Sequence, residues 1–83
     1  MKSIRYSESA AKSIKNFNHD IKIRMEEAIL EIAKNPLLGK KLKGNFAKES
    51  LRSLKVWPYR VIYRFESAYL DIIYIEHRKD VYR

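Results

Sequence analysis

The sequence contains no cysteine, only two histidines, two glycines and two prolines, and no long apolar run. Without cysteine, the chain can form no disulfide and no thiolate zinc site, and it has no thiol nucleophile. Two histidines also argue against a transition-metal site, which usually takes three or four protein ligands. We therefore predict that the protein uses no metal and no cofactor.

The apolar residues are spread too widely to cross a membrane. No run approaches the roughly 20 apolar residues that span a bilayer, and Met1 is not followed by the hydrophobic stretch of a signal peptide. A length of 83 residues suits one domain, predicted at residues 1–83, and excludes a two-domain cofactor enzyme. A hydrophobic fraction of 46% indicates a folded protein, which we expect to be soluble and cytoplasmic.

Positive charge is concentrated in the middle of the chain. The 18 basic and 10 acidic residues give a net charge of +8. Residues 34–55 contain one acid, Glu49, and seven bases, a net charge of +6. Such a segment attracts polyanions, so a nucleic acid, an acidic protein partner and a merely solvated surface are the three interpretations. The seven bases are Lys34, Lys40, Lys41, Lys43, Lys48, Arg52 and Lys55.

Hydrophobic periodicity predicts one strand and two helices in the first half. Residues 2–6 alternate between polar and apolar, as in a short strand. Ser7 is a typical N-cap for a first helix of about ten residues, and Asp20 is the predicted cap of a second. The second helix should end at Asn35, because the residue before a proline avoids the helical region.

Three further strands are predicted in the second half, at Leu51–Val56, Tyr59–Glu66 and Tyr69–His77. Short turn signals separate them, which favours an antiparallel meander. The last strand is nearly continuously apolar, so we expect it to be buried on both faces. The predicted fold is α+β, in the order β-α-α-β-β-β, with a helical hairpin packed on a small, mostly antiparallel sheet.

A two-residue turn at Trp57-Pro58 would place Lys55 opposite Arg60 on one face of the sheet. Opposed cations repel each other unless an anion lies between them, and such conflicts are expected at functional sites. Alternatively, both side chains simply extend into water. The same alternation puts Arg64 on that face near Asp71, and it predicts that the helices cover Val56, Tyr59, Val61, Tyr63 and Phe65.

Two segments, in the same order along the chain, resemble the RelE/ParE superfamily of bacterial and archaeal toxins from toxin–antitoxin systems. The first is residues 51–64, similar to a typical Leu-Arg-Val-Gly-Asp-Tyr-Arg-Val-Ile-Tyr, and the second is residues 77–83, similar to His-Arg-Arg-Asp-Val-Tyr. The helical hairpin and Asn35-Pro36 extend the likeness over the whole chain. Trp57-Pro58 departs from the pattern, because it stands where Gly-Asp is usual.

The resemblance to the RelE branch implies a metal-independent endoribonuclease that cuts mRNA at the ribosome and is neutralised by an acidic antitoxin. It implies that Arg60 and Lys55 stabilise the reacting phosphate and that Arg78 serves the same site. It further implies Tyr82 and His77 as proton-transfer groups. The RNA-binding residues would be Arg52, Lys40, Lys41 and Lys43.

The resemblance also leaves two alternatives. In the ParE branch the same fold inhibits DNA gyrase and has no nuclease activity. The chain could also be a nucleic-acid-binding member without activity. The full set of basic and titratable residues in this sequence favours the ribonuclease, with mRNA and the ribosome as partners in place of gyrase.

Overall fold

The computed structural model describes residues 1–44 and 50–78, and in this part of the chain two helices pack against a five-stranded sheet. The strand order is β1-β5-β4-β3-β2. Strand β1 runs parallel to β5, and all other neighbours are antiparallel. The predicted α+β fold is confirmed. The elements are β1 (Ser3–Tyr6), α1 (Glu8–Lys15), α2 (His19–Lys34), a 3-10 turn (Pro36–Leu38), β2 (Lys40–Lys41), β3 (Arg52–Val56), β4 (Tyr59–Phe65) and β5 (Tyr69–His77).

Each helix begins at a side chain that accepts a backbone hydrogen bond. The predicted cap Ser7 is confirmed, because its Oγ accepts from the Ala10 N–H at 3.0 Å. The same hydroxyl donates to the Ile73 carbonyl at 2.6 Å, which fixes the start of α1 to β5. The prediction of Asp20 as the second cap is wrong. Asn18 takes that position and accepts from the Ile21 N–H, while Asp20 lies in the first turn.

The core lies between the helices and one face of the sheet. Helix α2 contributes Met25, Ile29 and Ile32, all buried, as its spacing predicts. Val61 and Tyr63 of β4 face them and are fully buried, which confirms the predicted alternation for this strand. We call this the helical face of the sheet and the opposite side the outer face. No helix among the described residues is long and apolar enough to cross a membrane.

Strand β5 is buried on one face only, so the prediction of burial on both faces is wrong. Tyr69 and Tyr74 are 40% and 48% exposed, whereas Ile72 and Ile75 are buried. The register with β4 shifts between Ile62 and Tyr63, a β-bulge that allows two apolar residues three positions apart to face the helices. The nearly continuous apolar run of β5 therefore does not require burial on both faces, because the bulge interrupts the alternation of its side chains between the two faces.

The segment before β2 is fastened to the sheet at Gly39. The Tyr63 hydroxyl accepts from the Gly39 N–H at 2.9 Å and donates to the Pro36 carbonyl at 2.7 Å. Arg52 Nη1 donates to the Gly39 carbonyl at 2.8 Å. A Cβ at Gly39 would lie 2.6 Å from the Tyr63 hydroxyl, so only glycine fits this close approach. These contacts set the path of β2, a strand that the sequence pattern did not predict.

Candidate functional site

A row of charged side chains crosses the outer face. Lys55 of β3 lies opposite Arg60 of β4, as predicted, and Arg60 lies opposite Glu76 of β5. Arg60 Nη1 is 3.8 Å from Glu76 Oε1, an ion pair too long for a hydrogen bond. The Arg60 Nε is buried and has no hydrogen-bond partner among the described residues. This guanidinium therefore keeps donor capacity that a ligand could use.

Arg60 and Lys55 lie in an open groove of about 590 Å³, which we call the basic groove. Six cations line it, and no acidic residue lines it within the part of the chain that the structure describes. A water-accessible concavity with several fixed cations concentrates the positive potential toward a bound anion. The lining residues are Leu38, Lys40, Lys41, Leu42, Lys43, Ser53, Leu54, Lys55, Arg60 and Arg78.

The turn between β3 and β4 brings Arg78 to this groove. The Arg78 N–H donates to the Pro58 carbonyl at 2.8 Å, so the residue after β5 is attached to the turn. The Arg78 guanidinium lies 5.5 Å from the centre of the Trp57 ring, within cation–π distance. Arg78 as a residue is only 7% exposed, which is rare for arginine and restricts where its charge can lie.

The structure brings six of the nine predicted site residues together in the basic groove: Lys40, Lys41, Lys43, Lys55, Arg60 and Arg78. Arg52 lies elsewhere, opposite Tyr63, and binds the Gly39 carbonyl. His77 lies opposite Tyr59 on the helical face, where the two rings meet edge to face at 4.9 Å. Tyr82 lies outside the described residues.

Two residues near the groove escaped the sequence prediction. Glu76 pairs with Arg60, but an acid in a mostly apolar strand carries no signal until the register is known. Trp57 is 63% exposed at the turn, and the sequence indicates it only as a turn residue that departs from the family pattern. The useful signal was the substitution itself, because a large aromatic side chain in an exposed turn has no role in the core.

The other end of the outer face also carries arginines, but there they are paired with acids. Arg5 donates to both Asp71 carboxylate oxygens, at 2.6 and 3.0 Å, and to Glu66 at 2.8 Å. Arg64 Nε is 3.6 Å from Asp71, as the alternation predicted. The hydrogen bond from Arg5 holds the pKa of Asp71 below its usual range and raises the pKa of Arg5. We call these four residues the paired cluster.

The basic groove has the chemistry of a phosphodiester site. Lysine ammonium groups and arginine guanidinium groups donate hydrogen bonds to phosphate oxygens and displace counterions from a polyanion. In the described ranges, no three histidine or carboxylate side chains converge as metal ligands. The chemistry that this arrangement supports is the binding of RNA-like polyanions and the stabilisation of negative charge that develops on phosphate.

Three of the solved structures with the same fold come from toxin–antitoxin systems. The RelBE2 complex of Mycobacterium tuberculosis contains a chain 22% identical, with a TM-score of 0.80, covering 93% of this chain and 98% of that one. In the intact Escherichia coli RelBE complex, the matching chain is 16% identical with a TM-score of 0.78, and the match covers 93% of this chain and 96% of that one. In a chromosomal ParDE system of Pseudomonas aeruginosa, the matching chain is 17% identical with a TM-score of 0.57, and the match again covers 93% of this chain and 96% of that one.

The sequence itself matches a family model. No curated protein matches it closely enough to count as a relative. The model described as the ParE toxin of type II toxin–antitoxin systems, parDE, matches residues 4–82. Because this match spans nearly the whole chain and the fold agrees, the chain belongs to the ParE toxin family and is a type II toxin–antitoxin toxin of the RelE/ParE superfamily.

Proposed function

We propose that this toxin is an endoribonuclease that cuts mRNA during translation and needs no metal ion. The observation that supports the proposal is the basic groove, where six cations converge and no described acid lines the surface. RNA is the polyanion that fits, because it carries both the phosphates and the internal nucleophile.

The proposed reaction is an internal transesterification. The 2′-hydroxyl attacks the adjacent phosphorus, the bond from phosphorus to the 5′-oxygen breaks, and a 2′,3′-cyclic phosphate and a 5′-hydroxyl end result. One proton leaves the 2′-hydroxyl and one is delivered to the departing 5′-oxygen. The phosphate gains negative charge in the transition state, so cations held near it supply the largest part of the acceleration.

Arg60 and Lys55 are the residues that we assign to the phosphate. They stand side by side across β3 and β4, so the sheet fixes their separation. The Arg60 side chain is 23% exposed and its Nε has no hydrogen-bond partner in the described chain, so the protein does not use all the donors of this guanidinium. Arg78 lines the same groove and serves the same anion.

Proton transfer is the part of the proposal that the described residues do not supply. Tyr82 stays the proposed donor or acceptor, and acid–base help of this kind contributes about 10²- to 10⁴-fold. His77 was the second candidate, but its position on the helical face, against Tyr59, separates it from the groove. We therefore give His77 no part in the proposed mechanism.

The proposed inhibitor is an acidic antitoxin that covers the basic groove. The solved relatives from Mycobacterium tuberculosis and Escherichia coli are complexes of a toxin with its antitoxin. An acidic segment lying across six cations would neutralise their field and exclude RNA from the same surface.

A gyrase inhibitor is the second candidate function, and the family match favours it, because the model is that of a ParE toxin. A protein of this kind would bind gyrase and leave RNA intact. The two candidates make different predictions for the same purified chain.

Primer extension on an mRNA translated in a cell-free system tests the proposal. We expect new breaks within codons, a cyclic phosphate at the upstream ends and full activity in EDTA. The Lys55→Ala, Arg60→Ala double variant should produce no breaks. An intact message, combined with inhibition of gyrase supercoiling by both wild type and variant, would instead establish the second candidate.

A further inference from the structure

We propose that Trp57 is a stacking platform for a base of single-stranded RNA at the end of the basic groove. The inference rests on the proposed function and adds a binding residue to it. Trp57 stands at the turn between β3 and β4, directly after the strand that carries Lys55. It is the most exposed aromatic side chain among the described residues, at 63%.

The surroundings of Trp57 hold the residue in position. Arg24 Nη2 of α2 donates to the Trp57 carbonyl at 2.6 Å, which ties the turn to the helix. The Arg78 N–H donates to the carbonyl of Pro58, so the other side of the turn is tied to the end of β5. An exposed indole on a backbone fixed at two points loses little freedom when a ligand stacks on it.

The charge around the indole favours a nucleotide over an apolar ligand. The Arg78 guanidinium lies 5.5 Å from the ring centre, and Arg78 also lines the basic groove. Lys55 lines that groove and also a second cleft, of about 520 Å³, whose wall includes Trp57 and Arg24. A base on the indole would therefore have a flanking phosphate beside Lys55 and Arg78 of the basic groove, and a ring next to cations is the combination used by single-stranded nucleic acid sites.

Exposure alone would equally suit a hydrophobic protein contact. The lining of the cleft beside the indole decides between the two, because it holds three cations, Arg24, Lys34 and Lys55, and two acids, Glu27 and Glu31. An apolar helix would have to bury these five charges, at a cost in desolvation. A nucleotide on the indole keeps its phosphates on the side of the basic groove, where cations line the surface and no described acid does.

The single tryptophan of the chain makes the test specific, because its fluorescence reports this site alone. The probe is a short single-stranded RNA with 2′-O-methyl groups, which cannot be cut. We expect it to quench the emission, whereas an abasic oligonucleotide of equal length should bind without comparable quenching. Trp57→Ala should weaken RNA binding about tenfold or more, since a stacked base contributes about 1–3 kcal/mol.

Three controls separate stacking from folding and charge. Trp57→Phe keeps a ring and should bind within about threefold of wild type. Tyr6→Ala removes an exposed aromatic side chain on β1, away from the groove, and should not change RNA affinity. The affinity of Trp57→Ala for the abasic oligonucleotide should match wild type, which also reports an intact groove.

The proposal is overturned if Trp57→Ala binds RNA like wild type, if RNA leaves the emission unchanged, or if the variant loses both oligonucleotides equally. Quenching by an acidic protein partner but not by RNA would assign the indole to a protein interface. Cleavage of translated mRNA is measured on the same preparations. Stacking without cleavage removes the nuclease proposal alone, and cleavage with an unaltered Trp57→Ala affinity removes the platform alone.

Discussion

The two ends of the outer face contain similar cations, but the two ends differ in how closely acids pair with them. In the paired cluster, Arg5 meets the carboxylates of Asp71 and Glu66 at 2.6 to 3.0 Å. In the basic groove, Arg60 lies 3.8 Å from the carboxylate of Glu76. The first end satisfies the Arg5 guanidinium within the protein, and Arg64 Nε lies 3.6 Å from the same Asp71 carboxylate. The second end leaves a buried Arg60 Nε without a partner in the described chain.

The difference shows that the number of arginines does not identify a binding site. Arg60 and Arg64 lie four positions apart on one strand and both point to the outer face. Their surroundings distinguish them, because the Asp71 beside Arg64 is itself held by Arg5, and the Arg64 side chain is 50% exposed against 23% for Arg60. An incomplete set of partners around a fixed cation is the feature that indicates function.

The largest expected effect separates those two arginines. Arg60→Ala should lower the rate of RNA cleavage by about 10²- to 10³-fold, because it removes a fixed donor to the developing phosphate charge. Arg64→Ala, the matched control, should stay within about twofold, since its charge serves the paired cluster. Single-turnover cleavage rates measure both. Equal losses in the two variants would show that the ends of the face do not differ in function.

The lysines of the groove should determine how salt affects RNA binding. Replacing Lys40, Lys41 and Lys43 by glutamine should lower the slope of log affinity against log salt by about 0.7 for each lost phosphate contact. Lys12→Gln, an exposed lysine of α1, is the control and should leave the slope unchanged. A titration of RNA affinity over a range of salt measures the slope. An unchanged slope in the triple variant would place the RNA on another surface.

A smaller effect is expected where the core supports the groove. Tyr63→Phe removes the hydroxyl that bridges Gly39 and Pro36, and a buried N–H left unpaired costs about 1–3 kcal/mol. Tyr74→Phe changes a half-exposed tyrosine of β5 and should cost nothing measurable. Urea unfolding gives both free energies. Equal stability of the two variants would mean that the Gly39 contact adds nothing.

The smallest effect concerns acid stability and the paired cluster. Because the pKa of Asp71 is lower in the folded state, its contribution is fully present above the unfolded pKa of about 3.9 and is lost as pH falls through the folded pKa. Asp71→Asn should therefore reduce stability at pH 7 and make the decline below about pH 4 shallower. Glu31→Gln, on the exposed side of α2, should leave the pH profile unchanged. Unfolding free energies at several pH values decide the point.

Local patterns predicted most of the fold. The spacing of Met25, Ile29 and Ile32 and the alternation of β4 each depend on neighbouring residues, so they are visible in the sequence. The bulge in β5 and the two-residue strand β2 depend on contacts with distant segments, and no periodicity reveals them. Asn18 and Asp20 are both good caps, and only the backbone geometry selects the first.

The site was predictable to the extent that it depends on the turn. A two-residue connection fixes the pairing of Lys55 with Arg60, and the structure confirms that pairing. The face of His77 depends on the register across the bulge, which the sequence does not contain, and it lies opposite Tyr59 rather than in the groove. The sequence predicts Arg52 as another groove cation, but its guanidinium donates to the Gly39 carbonyl, a contact that no local pattern reveals.

The position of β5 in the sheet affects how a newly made chain acquires its groove. This strand lies between β1 and β4, pairing with the first strand and with the hairpin that carries Arg60. Domains begin to fold during synthesis from the N-terminal side, at about 5–20 residues per second. Until β5 emerges, β1 has no neighbour and Arg78 cannot reach the turn. The toxin therefore has no complete groove while its last strand is still inside the ribosome that makes it.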